Sequence, residues 1–297
     1  MKNHKENLSG VFIPIATPFL KDESVDWDGL KHNLEFYAKS KVKGFLALGS
    51  NGENKALDED EKIKIVKTVL KYKAPHQKVI AGCFVETTRQ ALQFIKRVES
   101  MGIDYFNVLP PFYFRERMSD EVLAGYFTEC AEGSRTPITL YNAPKFSGVT
   151  ISPELAVKMS QHRNIVGIKD SASSGIEKFI EAVPDDFAVM AGSISFLFPA
   201  LLSGAVGGVI SMANYFPDLT HQLYLFGKEK NREEGEKLHL RLSTLNKKIS
   251  GAYGVAGVKA TMDLVGLVGG LPRKPLPGLT EEQKKKLRED LKEAGLL

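Results

Sequence analysis

The sequence predicts an α/β protein, namely a (β/α)8 TIM barrel with a C-terminal helical appendage. Eight short apolar runs alternate with helical segments over most of the chain. Strands that alternate with helices are parallel and joined by crossovers. Eight such units within about 215 residues match the usual size of a closed barrel. The remainder of the chain changes in character to long, charged helices without a further strand.

The predicted strands are short apolar runs bounded by polar residues, a pattern that is typical of strands buried in a sheet. They cover residues 10–19, 44–50, 78–83, 105–111, 138–144, 165–171, 187–192 and 206–212.

The predicted helices of the barrel begin at good capping residues. Asp58 precedes Glu59 and Glu61, which places an N-cap before an acidic first turn. Ser152 precedes Pro153, and proline is favoured at the first helical position. The seven helices cover residues 26–41, 58–73, 87–101, 119–132, 152–161, 174–183 and 195–203.

Four further helices are predicted after the barrel, at residues 219–227, 231–249, 257–264 and 280–294. We therefore expect a catalytic barrel domain over residues 1–226 and a C-terminal helical domain over residues 227–297. A doubly wound open sheet is the alternative architecture. It is disfavoured because residues 14–19, PIATPF, contain no glycine-rich dinucleotide turn after the first strand.

The composition of the 297 residues limits the classes of function. A hydrophobic content of 43% and a charged content of 26% are typical of a globular protein with a sizeable core. A net charge of +4, with acidic and basic residues interspersed, argues against a nucleic-acid partner. Two cysteines, Cys83 and Cys130, form no disulfide framework, and no secretory signal is seen. We expect a cytoplasmic protein.

One stretch, residues 187–217, contains no charged residue and is long enough to span a bilayer. It also contains Pro199 and several glycines and serines, and its pattern divides into a strand, a short helix and a strand. We interpret it as a buried part of the barrel and expect no membrane partner.

Lys169 stands at the end of the sixth predicted strand, whose other residues are mostly apolar. A desolvated amine is a nucleophile that can form a Schiff base with a carbonyl substrate. The alternative is a lysine whose ammonium group reaches solvent along the surface.

Active sites of such barrels lie at the C-terminal ends of the strands. Strand two is followed by Gly49, Ser50, Asn51, Gly52 and Glu53. Two glycines around small polar residues expose backbone N–H groups and suit a carboxylate or phosphate oxygen. The alternative is an ordinary turn between a strand and a helix.

Other candidates follow the remaining strands. Tyr141 ends strand five, and its hydroxyl either faces the barrel mouth or is a satisfied core group. Gly192 ends strand seven and Ile210 ends strand eight. Tyr113 belongs to an aromatic cluster after strand four, which is usually a packing or subunit contact.

No metal site is expected. The six histidines are scattered along the chain. Neither His-x-x-x-His nor Cys-x-x-Cys spacing occurs in the sequence. They are His4, His32, His76, His162, His221 and His239.

The combination of Lys169, Tyr141 and the turn around Ser50 is more informative than its parts. It supplies a nucleophile, a proton carrier and a group that holds a carboxylate. An imine-forming enzyme that acts on a 2-oxo acid needs this set. The rival hypothesis is a barrel that binds a ligand without catalysis, because fold alone does not fix function.

At these residues the sequence resembles the dihydrodipicolinate synthase / N-acetylneuraminate lyase family of class I, Schiff-base aldolases. The resemblance covers nearly the whole chain, and its motifs are residues 49–53, GSNGE, residues 141–144, YNAP, residues 167–171, GIKDS, and residues 205–214. It implies a (β/α)8 lyase that needs no cofactor, because Lys169 itself forms the covalent Schiff base with pyruvate.

The resemblance also implies roles for the other residues. Tyr141 would shuttle protons, and Ser50 and Asn51 would hold the pyruvate carboxylate. Gly192, Ile210 and Ser171 would line the same substrate-binding pocket. Tyr113 would reach into a neighbouring subunit's site, in a relay with Ser50 and Tyr141. The partners would be pyruvate, an aldehyde and other copies of the chain, in a homotetramer built as a dimer of dimers.

Departures from the family pattern bear on the second substrate. The synthases usually carry an arginine at the position of Phe146, and sialic acid lyases carry acidic residues where Ser193 and Ser195 stand. Asn51 replaces a usual threonine. The GSNGE turn, residues 115–119 and residues 257–270 are similar to 4-hydroxy-2-oxoglutarate aldolase. We therefore expect cleavage of 4-hydroxy-2-oxoglutarate or a similar acid, and the alternative is dihydrodipicolinate synthesis with Lys145 replacing the arginine.

Overall fold

Eight parallel strands form a closed barrel in the computed structural model, which describes residues 3–297. Each strand pairs with the next one along the chain, and β8 returns to β1 through Gly10 opposite Gly207 and Phe12 opposite Val209. The predicted (β/α)8 TIM barrel is confirmed. The strands are β1 (Gly10–Pro14), β2 (Gly44–Ala47), β3 (Lys78–Cys83), β4 (Tyr105–Val108), β5 (Ile138–Asn142), β6 (Ile165–Asp170), β7 (Ala188–Ala191) and β8 (Gly207–Val209).

Helices surround the barrel, and a short one precedes it. The helices up to β8 are α1 (His4–Leu8), α2 (Trp27–Tyr37), α3 (Glu59–Tyr72), α4 (Thr88–Glu99), α5 (Asp120–Glu132), α6 (Pro144–Ser147), α7 (Pro153–Ser160), α8 (Ile176–Ala182) and α9 (Ile194–Ser203). The predicted caps are present: Asp58 forms a capping box with Glu61, and Ser152 accepts a hydrogen bond from Leu155 N–H.

The core has two layers inside and outside the strands. The lower part of the barrel interior is filled by apolar side chains that include Phe12, Ile80 and Met190. Leu8 of α1 is fully buried among them, so α1 covers the N-terminal end of the barrel. A larger apolar layer separates the strands from the surrounding helices. The barrel interior is therefore filled by apolar side chains towards the N-terminal ends of the strands, and the C-terminal ends hold the polar side chains.

The C-terminal helical appendage is also confirmed. It contains α10 (Pro217–Lys228), α11 (Arg232–Asn246), a π-helical turn (Lys247–Gly251), α12 (Ala252–Leu264) and α13 (Glu281–Glu293). The residues between α12 and α13 run back over the barrel, where Val268 N–H donates to Asn33 Oδ1 at 2.8 Å. The predicted domain boundary after residue 226 falls inside α10, and the division into two domains stays a prediction.

Within residues 3–297, no helix combines the length and the apolar character needed to cross a bilayer. The uncharged stretch 187–217 forms β7, α9, β8, a 3-10 turn (Ser211–Asn214) and the start of α10. The cytoplasmic location stays a prediction.

Candidate active site

Lys169 faces the barrel interior because β6 contains a bulge. Ile138 of β5 pairs with Ile165, but the next residue, Thr139, pairs with Gly167, so Val166 is an extra residue. Side chains alternate along a strand, and an extra residue reverses the alternation beyond it. Val166 packs inside the barrel, and beyond the bulge Lys169 pairs with Tyr141. Both side chains therefore point into the mouth.

The Lys169 amine lies in a mostly apolar environment. Its side chain is 4% exposed, and Nζ lies 4.0 Å from the centre of the Tyr141 ring. The Tyr141 ring packs on Phe84, with 5.5 Å between the ring centres, and belongs to a buried cluster with Leu109 and Ala143. The structure thus brings together the two residues that the sequence predicts as nucleophile and proton carrier.

The surroundings of the Tyr141 hydroxyl change its pKa. Burial raises its pKa, but the charge of Lys169 and hydrogen bonds with Ser50, Ser171 and Lys169 outweigh burial. The net result is a pKa below the usual value for tyrosine. Ser50 Oγ lies 3.5 Å from Tyr141 Oη, which places the turn after β2 beside the tyrosine. A lowered pKa brings the phenol closer to the pH at which a general acid or base works best.

The turn of residues 49–53, which we call the anion turn, is held by residues that follow two other strands, β1 and β8. Its backbone closes through Gly52 N–H to Gly49 O at 3.1 Å. Thr17, which follows β1, donates to Gly52 O at 2.8 Å. Asn51 Nδ2 donates to Ser211 Oγ, just beyond β8, at 2.7 Å. The predicted turn is therefore present at the mouth, next to Tyr141.

Ser171, Gly192 and Ile210 lie at the ends of β6, β7 and β8. Gly192 N–H donates to Asp170 O at 2.6 Å, and a Cβ on Gly192 would collide with Ser171 Oγ. Glycine at this position therefore makes room for the serine hydroxyl. Ile210 is fully buried, and its N–H donates to Phe12 O. These three residues follow β6, which carries Lys169, and the next two strands around the barrel.

Tyr113 is not brought into this site. Its side chain is 78% exposed and contacts the ring of Phe114, with 5.0 Å between the ring centres. The backbone N–H groups of Phe112 and Tyr113 both donate to Glu86 Oε2 at 2.9 Å, so the loop is anchored while the tyrosine points to solvent.

Apart from Asn51, the residues that depart from the family pattern lie on α6 and at the start of α9. Lys145 and Phe146, on the short helix α6, are both exposed, and Phe146 is 58% exposed. Ser193 caps α9 through a hydrogen bond from Ser195 N–H. In residues 3–297, no three His, Cys, Asp or Glu side chains are grouped so that they could hold a metal ion.

Two residues beside the predicted catalytic pair, Asn142 and Asp170, were not predicted as part of the site. Asn142 Nδ2 donates to Asp170 Oδ1 at 2.7 Å, directly beside the Tyr141–Lys169 pair. Burial raises the pKa of Asp170, against hydrogen bonds from Ala172 N–H and the Asn142 amide. The signal was present in the sequence, because both residues directly follow the predicted catalytic ones, but their pairing needs the register of β5 and β6.

A comparison with known proteins identifies the family of this chain. The model of the dihydrodipicolinate synthetase family matches residues 7–294. The chain belongs to this family. It is therefore an enzyme, a lyase of the Schiff-base aldolase type, and enzymes of this family use a covalent lysine Schiff base with pyruvate and no external cofactor.

Individual members of the family are similar over almost the whole chain. The 4-hydroxy-tetrahydrodipicolinate synthase of Methanopyrus kandleri is 32% identical, with 98% of this chain and 97% of the relative covered. The structure of the enzyme of the same name from Methylacidiphilum fumariolicum is 28% identical with a TM-score of 0.91, over 97% and 96% of the two chains. A monomeric dihydrodipicolinate synthase variant is 27% identical with a TM-score of 0.91, over 98% of each chain.

Proposed function

We propose that the protein is a pyruvate-dependent aldolase in which Lys169 forms the imine. The observation that carries this proposal is the buried Lys169 amine beside Tyr141 and the anion turn. A neutral amine adds to C2 of pyruvate, and loss of water gives a protonated imine. Loss of a proton from C3 gives an enamine, which attacks the aldehyde carbon and forms the new C–C bond. Hydrolysis of the imine then releases the product and restores the amine.

The other residues of the mouth serve this sequence of steps. Ser50 and Asn51 hold the pyruvate carboxylate, for which the anion turn offers hydroxyl, amide and backbone N–H groups. Tyr141 carries the protons that leave and return during imine formation and bond formation. Gly192, Ile210 and Ser171 line the pocket around the bound pyruvate.

For the second substrate, we propose aspartate semialdehyde, which makes the protein a 4-hydroxy-tetrahydrodipicolinate synthase. The similar proteins bearing that name support this choice over the cleavage of 4-hydroxy-2-oxoglutarate. Lys145 is the exposed cation beside the position where the synthases carry an arginine, and it would meet the carboxylate of the semialdehyde.

Cleavage of 4-hydroxy-2-oxoglutarate to pyruvate and glyoxylate is the second candidate. Phe146 favours it, because a phenyl ring stands where a synthase has a guanidinium group for a carboxylate. The same Lys169 and Tyr141 would run the reaction in the direction of cleavage, with Tyr141 helping to remove the proton of the C4 hydroxyl group.

Borohydride trapping tests the imine. Wild-type protein incubated with pyruvate and borohydride should gain a stable adduct, and peptide mapping should place it on Lys169. Lys169→Met should show no adduct while its circular dichroism is unchanged, because the methionine side chain fills a similar volume. A wild-type protein whose intact mass stays unmodified would overturn the proposal.

A substrate panel decides between the two aldehydes. Pyruvate with aspartate semialdehyde is compared with 4-hydroxy-2-oxoglutarate, and the ratio of the two kcat/KM values is the deciding quantity. A synthase should favour the semialdehyde by at least about 100-fold. A preference for 4-hydroxy-2-oxoglutarate would reject the synthase and support the second candidate.

The homotetramer and the role of Tyr113 are also proposals. The exposed pair of Tyr113 and Phe114 presents two aromatic rings that a neighbouring subunit would cover. Tyr113 would then enter the neighbour's site and join Ser50 and Tyr141.

A further inference from the structure

A buried ion pair lies beneath the anion turn and has no part in the proposed chemistry. Lys259 Nζ lies 2.5 Å from Glu53 Oε1, and the two side chains are 0% and 3% exposed. Glu53 is the last residue of the anion turn, whereas Lys259 belongs to α12 of the C-terminal appendage. The pair therefore connects the mouth of the barrel to a part of the chain that follows all eight strands.

The backbone at this point is in a conformation that needs support. Glu53 has φ +54° and Leu48, directly before the anion turn, has φ +60°. Residues other than glycine rarely adopt this region, and they do so where surrounding contacts fix them. Glu53 Oε2 accepts the backbone N–H of Arg273 at 2.9 Å. Both carboxylate oxygens of Glu53 are thus held by the C-terminal appendage.

The residues that hold Glu53 are themselves fixed. Lys259 Nζ also donates to Leu271 O at 2.9 Å, and a Cβ on Gly269 would collide with the backbone of Lys259. The Phe19 ring contacts both cations, with Lys259 Nζ 4.4 Å and Arg273 Cζ 4.2 Å from its centre. Side chains in such surroundings have little room to move. Lys259 and Arg273 are therefore held in place where they contact Glu53.

We infer that Glu53 and Lys259 are positioning residues that set the anion turn for the carboxylate of pyruvate. Neither side chain is assigned contact with the substrate. They act through the backbone of the anion turn, whose N–H groups and Ser50 and Asn51 side chains meet the carboxylate. The inference rests on the proposed function, because it assumes that pyruvate is held there.

The test separates positioning from folding by neutralising both partners together. In Glu53→Gln/Lys259→Met no unpaired charge is buried, so the protein should fold, whereas the contact between Oε1 and Nζ is lost. The pyruvate concentration for half-maximal borohydride trapping should rise about tenfold, while the trapping rate at saturating pyruvate stays within about twofold. Loss of a group that binds ground state and transition state alike changes half-saturation only.

Glu53→Gln alone is the second variant. It keeps the size and one oxygen acceptor of the side chain, but it leaves the Lys259 ammonium group buried without its carboxylate. The pyruvate concentration for half-maximal trapping should rise at least about threefold. Asp290→Asn is the matched control. It makes the same change in an ion pair of α13, where Lys248 Nζ lies 2.6 Å from Asp290 Oδ1. Its half-saturation should stay within about twofold of wild type.

Folded variants of Glu53 that keep the wild-type half-saturation would overturn the inference. A rise that Asp290→Asn shares would also overturn it, because the effect would then come from general loosening of the appendage. Failure of the wild-type protein to trap pyruvate at all would instead reject the proposed function, so the two failures are distinguishable.

Discussion

The orientation of Lys169 depends on a single extra residue. Val166 is the residue of β6 without its own partner on β5, and it shifts the alternation so that Lys169 joins Tyr141 inside the barrel. The sequence predicted both a buried strand and a lysine at its end. It did not predict the bulge, because an apolar run such as residues 165–168 has no polar side that would reveal its alternation.

Tyr141→Phe removes only the hydroxyl group and so tests the proposed role of Tyr141 as the proton carrier. The ring still packs on Phe84, so the fold should be unchanged, but the group that moves protons is lost. Turnover should fall by about 10²- to 10⁴-fold. The measurement is kcat with pyruvate and the better of the two aldehyde substrates.

Tyr105→Phe is a matched control for this change. Tyr105 is also buried, but it lies at the start of β4, where its hydroxyl contacts His4 at the N-terminal end of the barrel. The kcat of Tyr105→Phe should match that of the wild-type protein. Near-normal turnover of Tyr141→Phe would count heavily against the assigned role.

Each predicted element is present in the predicted order and type, but the short helices α1 and α6 were not predicted, and the ends of several elements differ for physical reasons. Residues 10–19 were predicted as one strand, but β1 ends at Pro14, and residues 15–19 leave the sheet and stay buried in the mouth. A buried loop has the same apolar composition as a strand. Predicted helix 257–264 is longer in the structure, because α12 begins at Ala252 after the π-helical turn, with a kink at Gly254.

The contact between α3 and the C-terminal appendage contributes stability that is lost at low pH. Arg273 donates two hydrogen bonds of 2.7 Å to the Glu61 carboxylate. These bonds lower the pKa of Glu61 below its ordinary value of 4.5. The unfolded chain therefore takes up this proton at a higher pH than the folded protein does. The contribution to stability is complete above the unfolded pKa and is lost as pH falls through the folded pKa.

Glu61→Gln tests this contact. Glutamine retains the capping box with Asp58. The substitution therefore removes only the negative charge that Glu61 presents to Arg273. We expect the free energy of unfolding at neutral pH to fall by about 1.5–3 kcal/mol. The difference from wild type should shrink as pH drops below 4.5, which urea titrations at several pH values would measure.

Glu59→Gln is the control in the same helix. Glu59 is largely exposed and pairs with Lys62 at 2.8 Å, and exposed pairs contribute about 0–1 kcal/mol. A Glu61→Gln difference that persisted undiminished in acid would contradict the assigned role of its charge.

At the scale of the whole molecule, the count of eight strand–helix units was sufficient to predict the closed barrel. The same count placed Lys169, Tyr141 and the anion turn at one end. The support of the anion turn was not predictable, because Arg273 and Glu53 are distant in sequence and no periodic pattern links them. Tyr113 could not be placed within one chain, since its side chain points outward.

The closure of the barrel between β1 and β8 also has a consequence for synthesis, because it joins residues that are far apart in the chain. Gly10 can pair with Gly207 only after Gly207 has been synthesised, and only then is the ring of strands complete. Likewise, Glu53 can contact Lys259 and Arg273 only after those residues have been synthesised. Ribosomes add about 5–20 residues per second, and contacts between distant residues form slowly. A chain that ends shortly before Lys259 would contain every residue that we propose for the chemistry and would still lack the two residues that hold the Glu53 carboxylate.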